Sequence, residues 1–292
     1  MDRPSEDDVV ASSADVFSLL GDEVRLEIIS VLSAVSESPL SFSTLHDHVG
    51  LSDSGQFNYH LSKLVPHFVS RTESGYALTS AGRRVARAVS AGYYAQSLEI
   101  EPFTTESLCV FCGERGLRAS YTDEQFHIDC PACDEAILRV NAPPSLIRGR
   151  NPDEALAAFD RWSQSRVEQA AHHEFCPYCG GAVEPTHQDN HPLERFAVLP
   201  VFACQVCGGE ITTTYGALAA SDPVVESFLE RHGDEQPRNY WEREQYVTDR
   251  YVEQLSTDPL RVRVTFPADT ERCCVTINER HEVIRTEIDR ES

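Results

Sequence analysis

Four C-x-x-C pairs are the residues of this sequence whose type and spacing point most directly to chemistry. Each pair can present two thiolates from one tight turn, and the pairs form two couples with 17 and 24 residues between their turns. Two such turns separated by about 15–25 residues are typical of a structural zinc site with four thiolate ligands. The sequence therefore predicts two structural Zn²⁺ ions. One would be bound by Cys109, Cys112, Cys130 and Cys133, and the other by Cys176, Cys179, Cys204 and Cys207.

Other uses of these cysteines are less favoured. A redox dithiol of the thioredoxin kind would not recur four times in paired spacing. Disulfides are rare in a reducing compartment, and the acidic opening "MDRPSEDDVV" has no signal-peptide pattern, so we expect a cytoplasmic protein. Four thiolates also close the coordination shell, and no nucleotide-binding loop or Ser/His/Asp motif stands out, so we expect no enzyme activity. The histidines near the pairs are surplus to the metal sites: His127, His172, His173, His187 and His191.

Strand-like and helical runs surround the cysteines and would position them. "LRASY", "QFHID" and "AILRV" accompany the first couple, and "FAVLPVFA" and "EITTTYG" accompany the second. Between them, "NPDEALAAFDRWSQSRVEQAAHH" predicts an amphipathic linking helix with Pro152 in its first turn. Cys273 and Cys274 are adjacent, so on a strand they would point to opposite faces and cannot form a further pair. We predict a first zinc ribbon over 98–145, a helix plus second ribbon over 150–220, and a C-terminal helix and β-hairpin segment over 221–292.

The N-terminal part predicts two short helices joined by a tight turn. "STLHDHVG" is the first, and "LSDSGQFNYHLSKLV" is the second, with Ser52 or Asp53 as its N-cap. "HFVSRTESGYALT" then predicts a hairpin, and "SAGRRVARAVSAGYYA" predicts a closing helix with its arginines largely outward. The second helix would bury Phe57, Leu61 and Leu64 and expose a polar face that periodicity alone does not separate from an ordinary solvated one. The candidate DNA-contacting residues are Ser52, Ser54, Gln56, Asn58, Tyr59, Lys63 and Arg71.

The segment "LGDEVRLEIISVL", followed by these elements, resembles the ArsR-type winged-helix transcription regulators. "DSGQFNYHLSKLV" followed by "GYALT" is similar to the version found in haloarchaeal members, some of which append zinc ribbons. The resemblance implies a winged helix-turn-helix domain over 12–95 that binds double-stranded DNA. It also implies a homodimer joined through the first and last helices of that domain. Metal-sensing members carry cysteines beside the second helix, whereas this chain has none before Cys109, so that kind of sensing is not expected.

Charge is distributed very unevenly along the chain. The formal net charge is -22, and there is one lysine, a pattern that favours a salt-loving organism because concentrated salt screens acidic repulsion. Residues 51–90 nevertheless carry five basic and two acidic side chains, whereas residues 91–292 carry a net charge of -17. The longest strongly apolar stretch, 196–206, is too short to span a bilayer, so no membrane association is expected.

These features predict an α+β multidomain protein. It would comprise an N-terminal winged helix-turn-helix, two Cys₄ zinc ribbons around a linking helix, and a small C-terminal β-containing segment. The favoured function is a sequence-specific DNA-binding transcription regulator whose acidic half binds a protein partner or an effector. One alternative is a general transcription factor of the archaeal initiation-factor-E kind, which also joins a winged helix to a zinc ribbon. The other is a zinc-binding protein-interaction scaffold that no longer binds DNA.

Overall fold

The computed structural model describes residues 13–35, 39–92, 98–189, 195–232, 239–268 and 270–290. The chain divides into two units, Met1–Gln96 and Ser97–Ser292, and each is described by itself. Both contain helices and small antiparallel sheets, so the prediction of a mixed α and β protein is confirmed. No helix among the described residues is long and apolar enough to cross a membrane.

The first unit contains five helices and one two-stranded hairpin within its described residues. In chain order these are α1 Ser13–Ser18, α2 Glu23–Ala34, α3 Phe42–Val49, α4 Ser54–Leu64, β1 Val69–Thr72, β2 Gly75–Leu78 and α5 Ser80–Ala91. The two short helices, the hairpin and the closing helix therefore follow one another in the predicted order. Leu40, just before α3, makes an isolated bridge to Tyr76 of β2.

Side-chain caps set where these helices begin. Asp22 accepts hydrogen bonds from Val24 and Arg25 at the start of α2, and Asp53 accepts them from Gly55 and Gln56 at the start of α4. Helix α3 is capped by Ser41. It ends at Gly50, whose φ of 73° lies in the left-handed region where glycine is favoured. The turn between α3 and α4 is therefore determined at both ends by local hydrogen bonds.

One apolar core holds the first unit together. Its fully buried members include Ile28 of α2, Leu45 of α3 and the three predicted inward residues of α4, Phe57, Leu61 and Leu64. In α5 the buried positions are Gly82 and Ala86, whereas Val85, Ala88 and Val89 are half-buried. Because α4 is held by complete burial of one face, its opposite face is presented rigidly.

The second unit begins with a four-stranded antiparallel sheet and the long helix that follows it. The sheet has the order β3 Ile100–Thr104, β4 Arg118–Thr122, β5 Gln125–Asp129 and β6 Ala136–Asn141. The predicted linking helix is α6, Pro152–His173, and it starts with a capping box in which Asn151 and Glu154 bond each other's backbone. Ala155, Leu156 and Phe159 of α6 are buried as its apolar stripe predicts.

The rest of the second unit contains two further sheets and three short helices among its described residues. The three-stranded sheet comprises β7 Val183–Asp189, β8 Val198–Cys204 and β9 Glu210–Thr212. The helices are α7 Tyr215–Ala220, α8 Pro223–Arg231 and α9 Glu244–Val247. The last sheet comprises β10 Val252–Thr257, β11 Leu260–Pro267, β12 Glu271–Ile277 and β13 Val283–Arg290, in that order and antiparallel throughout.

The C-terminal segment differs from the prediction in two ways. It forms a four-stranded sheet rather than a hairpin, because the edge strand β10 keeps most of its side chains in solvent and shows no alternating apolar pattern. Its core is also shared with earlier residues, since Val183 and Tyr215 belong to the same buried cluster as Val262 and Val275. The expected boundary at residue 220 therefore does not separate two cores.

Candidate metal centres and nucleic-acid interface

The first four predicted ligand cysteines converge at one end of the β3–β6 sheet. Cys109 and Cys112 lie in the loop before β4, and Cys130 and Cys133 lie in the loop between β5 and β6. Antiparallel pairing places these two loops at the same end of the sheet. The Sγ atoms of Cys109 and Cys133 are 3.8 Å apart, and those of Cys112 and Cys130 are 3.7 Å apart.

The second four cysteines converge in the same way beside the β7–β9 sheet. Cys176 and Cys179 precede β7, Cys204 is the last residue of β8, and Cys207 lies between β8 and β9. The Sγ atoms of Cys176 and Cys207 are 3.7 Å apart, and those of Cys179 and Cys204 are 3.5 Å apart. In each cluster all four sulfur atoms lie within 4.8 Å of one another, so the predicted grouping of the eight cysteines is confirmed.

All four cysteine turns share one backbone pattern. The N–H of the first cysteine in each turn donates to the carbonyl five residues later, at distances of 2.7 to 2.9 Å. The residue after the second cysteine has a positive φ, which glycine adopts without strain. These residues are Gly113, Gly180, Gly208 and, in the second turn, Asp134. The shared geometry means that each turn delivers one buried and one exposed sulfur to its cluster.

The spacing of the sulfur atoms fits a tetrahedral metal site. Four thiolates about 2.3 Å from a central ion are separated from one another by about 3.8 Å, close to the four distances above. All eight cysteines are free, and no disulfide competes for them. Four sulfur ligands leave no open coordination position, so the clusters are compatible with structural metal sites.

Backbone hydrogen bonds favour the thiolate form of Cys204 in the second cluster. The N–H groups of Cys207 and Val206 point at the Cys204 sulfur from 3.5 and 3.4 Å and lower the pKa of this thiol to about 6. Because a thiolate rather than a thiol binds metal, this arrangement prepares Cys204 to act as a ligand near neutral pH.

The two turns of the second cluster also pack against each other through the residues that lie between their cysteines. A Cβ at Gly181 would lie 2.5 Å from Cγ2 of Val206, and a Cβ at Gly209 would lie 2.9 Å from Cδ2 of Tyr178. Each turn therefore covers a glycine of the other, and neither glycine can carry a side chain without a shift. Tyr178 and Val206 remain largely exposed on their outer sides.

The histidines near the clusters do not join them. His127, His172, His173 and His187 belong to neither group of converging ligand atoms among the described residues, and His191 lies outside those residues. His172 instead forms a 2.9 Å hydrogen bond with Ser221, and His173 stacks on Phe175.

Six of the seven candidate DNA-contacting residues lie on α4 and the turn before it, and the seventh lies on the hairpin. Ser52, Ser54, Gln56, Asn58, Tyr59 and Lys63 are all exposed, and Arg71 is exposed on β1. The Lys63 Nζ lies 5.5 Å from the centre of the Tyr59 ring, and the Arg71 guanidinium lies 6.0 Å from the Tyr76 ring. Apart from Asp53, whose carboxylate is engaged in the cap, α4 and the turn before it carry no acidic side chain.

The arginines of α5 divide into two kinds. Arg83 donates hydrogen bonds to the Leu78 carbonyl at 2.7 Å and to the Ser80 hydroxyl at 3.1 Å, so it ties α5 to the end of β2. Arg84 and Arg87 are exposed. Of the three outward arginines expected from the sequence, Arg83 therefore has a structural contact and is a weaker candidate for phosphate binding.

One contact that holds α4 was not expected from the sequence. His60 is buried, and its Nδ1 lies 3.3 Å from the Asp22 carboxylate that caps α2. The pair joins the start of α2 to the middle of α4. A histidine on the inward face of a helix gives no sequence signal of its partner, because Asp22 is 38 residues earlier.

Comparison with protein families gives two matches that follow the division into units. A family model described as a domain of unknown function, DUF7351, matches residues 106–283, which is more than half of the chain. A second, also described as a domain of unknown function, DUF7347, matches residues 13–89. No curated protein matches the chain. The first match contains both cysteine clusters, and the second contains α4 and the hairpin.

Proposed function

The chain belongs to the family described as a domain of unknown function, DUF7351, and we propose that it is a sequence-specific DNA-binding transcription regulator. In this proposal the first unit is a winged helix-turn-helix: α4 is the recognition helix and the β1–β2 hairpin is the wing. The protein acts as a homodimer, with one recognition helix per half-site. The second unit is a metal-stabilised domain for a partner or an effector.

The observation that carries this proposal is the exposed face of α4. Gln56, Asn58 and Tyr59 project from a helix whose opposite face is fully buried, so their positions are set by the core. Glutamine and asparagine amides can bond an adenine edge bidentately, and a tyrosine can contact base methyl groups or phosphate. A helix of this kind fits the major groove, where side chains reach base edges.

The distribution of charge supports the same proposal. Lys63 and Arg71 lie on or beside this face, and Arg84 and Arg87 are exposed on α5. They belong to residues 51–90, which carry five basic and two acidic side chains in a chain of net charge -22. Contacts from these few basic residues to phosphates contribute an affinity that decreases as the salt concentration rises. In a salt-rich cytoplasm, contacts to the bases must therefore provide much of the binding free energy.

Each cysteine cluster, in this proposal, holds one structural Zn²⁺ ion. Zinc is the metal that four tetrahedral thiolates most commonly bind in proteins, and the sulfur spacing described above fits it. Cys109 and Cys130 belong to one buried core and Cys176 and Cys204 to the other. The ions would therefore stabilise the second unit rather than perform chemistry.

A protein-interaction role of the second unit is a further candidate. Phe111, Tyr178 and Val206 are exposed apolar side chains at the tips of three cysteine turns, with Val206 72% exposed. Exposed apolar groups surrounded by polar residues are typical of docking sites. A basic protein surface would suit the acidic remainder of this unit.

Genome-wide immunoprecipitation of the tagged full chain from its host tests the proposed function. We expect a limited set of sites that share one palindromic motif, with the Gln56→Ala variant losing or broadening that motif. On a selected duplex in vitro, Gln56→Ala should weaken binding by about 1–3 kcal/mol and leave binding to scrambled DNA unchanged. Occupancy of every promoter would favour a general transcription factor, and absence of DNA binding would favour a scaffold.

A further inference from the structure

A large cleft lies within the second unit. Its volume is about 790 Å³, and it is lined by β5 and β6 of the first sheet, by α6, and by residues of β7–β9, α7 and α8. The segment that includes Tyr240 and Val247 completes the lining. Clefts of about 300–1,000 Å³ at the junction of two substructures are the usual sites of small-molecule binding.

Much of the wall is apolar. Leu138 and Val140 come from β6, Val167 from α6, Leu199 from β8 and Leu218 from α7. Four elements thus contribute aliphatic side chains to one cavity. Such walls would bind the apolar body of a ligand through removal of its surface from water.

Arg166 brings a positive charge into this apolar surface. It is half-buried on α6, it lines the cleft, and its guanidinium lies 4.8 Å from the centre of the Trp162 ring. Its Nη1 donates to the Tyr178 hydroxyl at 3.0 Å, whereas its Nε is buried without a hydrogen-bond partner. No carboxylate of the described residues forms an ion pair with it. A half-buried guanidinium without a paired carboxylate is stabilised most by a ligand carboxylate, which supplies both a hydrogen-bond acceptor and the opposite charge.

The other charged groups that line the cleft do not form ion pairs with Arg166. Arg139 is already paired with Asp129, and it also donates to the Leu138 carbonyl. The three carboxylates of the lining belong to exposed residues, and none of them forms an ion pair with Arg166. These residues are Glu168, Glu210 and Glu226. An anion bound beside Arg166 would therefore interact with a half-buried guanidinium whose charge no protein carboxylate already neutralises.

Two hydroxyl groups lie near the guanidinium. Ser163 is one turn before Arg166 on α6, and Tyr240 interacts with both of them. Burial raises the pKa of the Tyr240 phenol well above its usual value, so this hydroxyl keeps its proton and can donate a hydrogen bond. All three residues line the cleft.

We propose that this cleft binds a small organic acid, with the carboxylate on Arg166 and the Tyr240 hydroxyl and the apolar body against the aliphatic wall. Binding of the acid does not depend on the proposed function. The further step, that the acid is the effector that controls DNA binding, rests on the proposed function. Because Tyr178 lies between Cys176 and Cys179, the Arg166–Tyr178 hydrogen bond also connects the ligand site to a turn of the second cysteine cluster.

The test is calorimetric titration of the metal-loaded full chain with phenylacetate, benzoate and 4-methylpentanoate at millimolar concentration. Phenylacetamide, which has the same shape as phenylacetate without its charge, is the matched ligand control. We expect at least one acid to bind and its amide to bind at least about tenfold more weakly, since a charge-assisted hydrogen bond is lost. Binding by none of the acids, or equal binding of acid and amide, would overturn the proposal.

Variants of the chain identify the site. Arg166→Gln should weaken binding of that acid by about tenfold or more, and Tyr240→Phe, which keeps the ring, should weaken it severalfold. Arg161→Gln changes an exposed arginine of the same helix that does not line the cleft, and it should leave binding unchanged. Equal losses in Arg161→Gln and Arg166→Gln would show a general charge effect and refute the assignment. Metal content and thermal unfolding of each variant separate lost contacts from misfolding, and Tyr240→Phe tests the site if Arg166→Gln misfolds.

DNA binding is measured separately, with and without the acid. If the chain binds the acid through Arg166 but binds no DNA, the proposed ligand site is supported and the proposed function is refuted. If it binds DNA but none of the acids, the proposed function stands and the cleft proposal fails.

Discussion

Lys63 is the only lysine of the chain, and its position beside Tyr59 makes it a natural candidate for DNA binding. A lysine and a glutamine on the same helix face nevertheless contribute differently. Lysine offers a point charge that contacts any phosphate, whereas glutamine offers a donor and an acceptor in fixed geometry. The two residues therefore control affinity and specificity separately.

The consequence is a measurable difference between two variants. Lys63→Gln should weaken binding to operator and random duplexes about equally and reduce the slope of log affinity against log salt by about 1. Gln56→Ala should leave that slope unchanged. Fluorescence anisotropy over a range of KCl concentrations measures both, and Ser165→Ala, at an exposed position of α6 in the second unit, is the control. A specificity change in Lys63→Gln would contradict this division of roles.

Individual residues also show which site features a sequence can predict. The two cysteine clusters could be predicted because each is built from two copies of one local turn, and the turn has a fixed spacing. Arg83 could not be separated from Arg84 and Arg87, because its partners are a backbone carbonyl and a hydroxyl that periodicity does not reveal. Arg166 and Tyr240 are 74 residues apart and meet only through the packing of the unit.

Helix α5 sits unusually close to the chain that enters the hairpin. A Cβ added at Gly82 would lie 2.1 Å from the Phe68 carbonyl oxygen and 3.1 Å from Cδ2 of Leu78. The same carbonyl accepts a hydrogen bond from Thr79 N–H, so it cannot move freely. Gly82 therefore allows the contact that sets the angle between α5 and the hairpin.

Gly82→Ala should destabilise the first unit. Alanine has a helix propensity about 1 kcal/mol better than glycine, but displacing a helix from a packed backbone costs about 1–3 kcal/mol, so the steric effect should exceed the propensity. Gly21→Ala is the matched control, because its Cβ would meet only an ordinary contact at 3.6 Å. Chemical unfolding followed by circular dichroism compares the two. Equal or greater stability of Gly82→Ala would show that α5 can shift without cost.

The elements themselves were predictable to different degrees. Helices α3 and α4, the β1–β2 hairpin and α6 carry local signals, namely caps, a Gly-containing turn and an apolar stripe. Strands β3, β7 and β10 were missed, since most of their side chains are exposed and their apolar alternation is weak. Their place in a sheet is decided by neighbouring strands rather than by their own residues.

The two cysteine clusters are embedded in the two cores of the second unit. One core combines Cys109 and Cys130 with Trp241, and the other combines Cys176 and Cys204 with Phe266. Loss of a metal would leave buried thiolates close together and would disturb residues far away in sequence. Metal binding and folding of this unit should therefore be coupled.

Removal of metal should unfold the second unit selectively. The full chain should contain two zinc ions, and Cys204→Ser should retain one, with a large fall in the thermal stability of the second unit. Cys274→Ser, at a half-exposed strand position outside both clusters, is the matched control and should retain two. Elemental analysis and limited proteolysis, with and without a chelator, provide the measurements. Two zinc ions in Cys204→Ser would contradict the assignment of the second site.

The sharing of a core between α7 and the last sheet has a consequence for synthesis on the ribosome. Tyr215 and Phe228 are buried against β11 and β12, whose residues are translated about 40 residues later. The nascent second unit must therefore hold these aromatic side chains uncovered until nearly the whole chain has emerged. The first unit contains every element of its own core by residue 92 and can fold while the rest is still being made. A stalled or truncated product would carry a finished N-terminal unit joined to an aggregation-prone remainder.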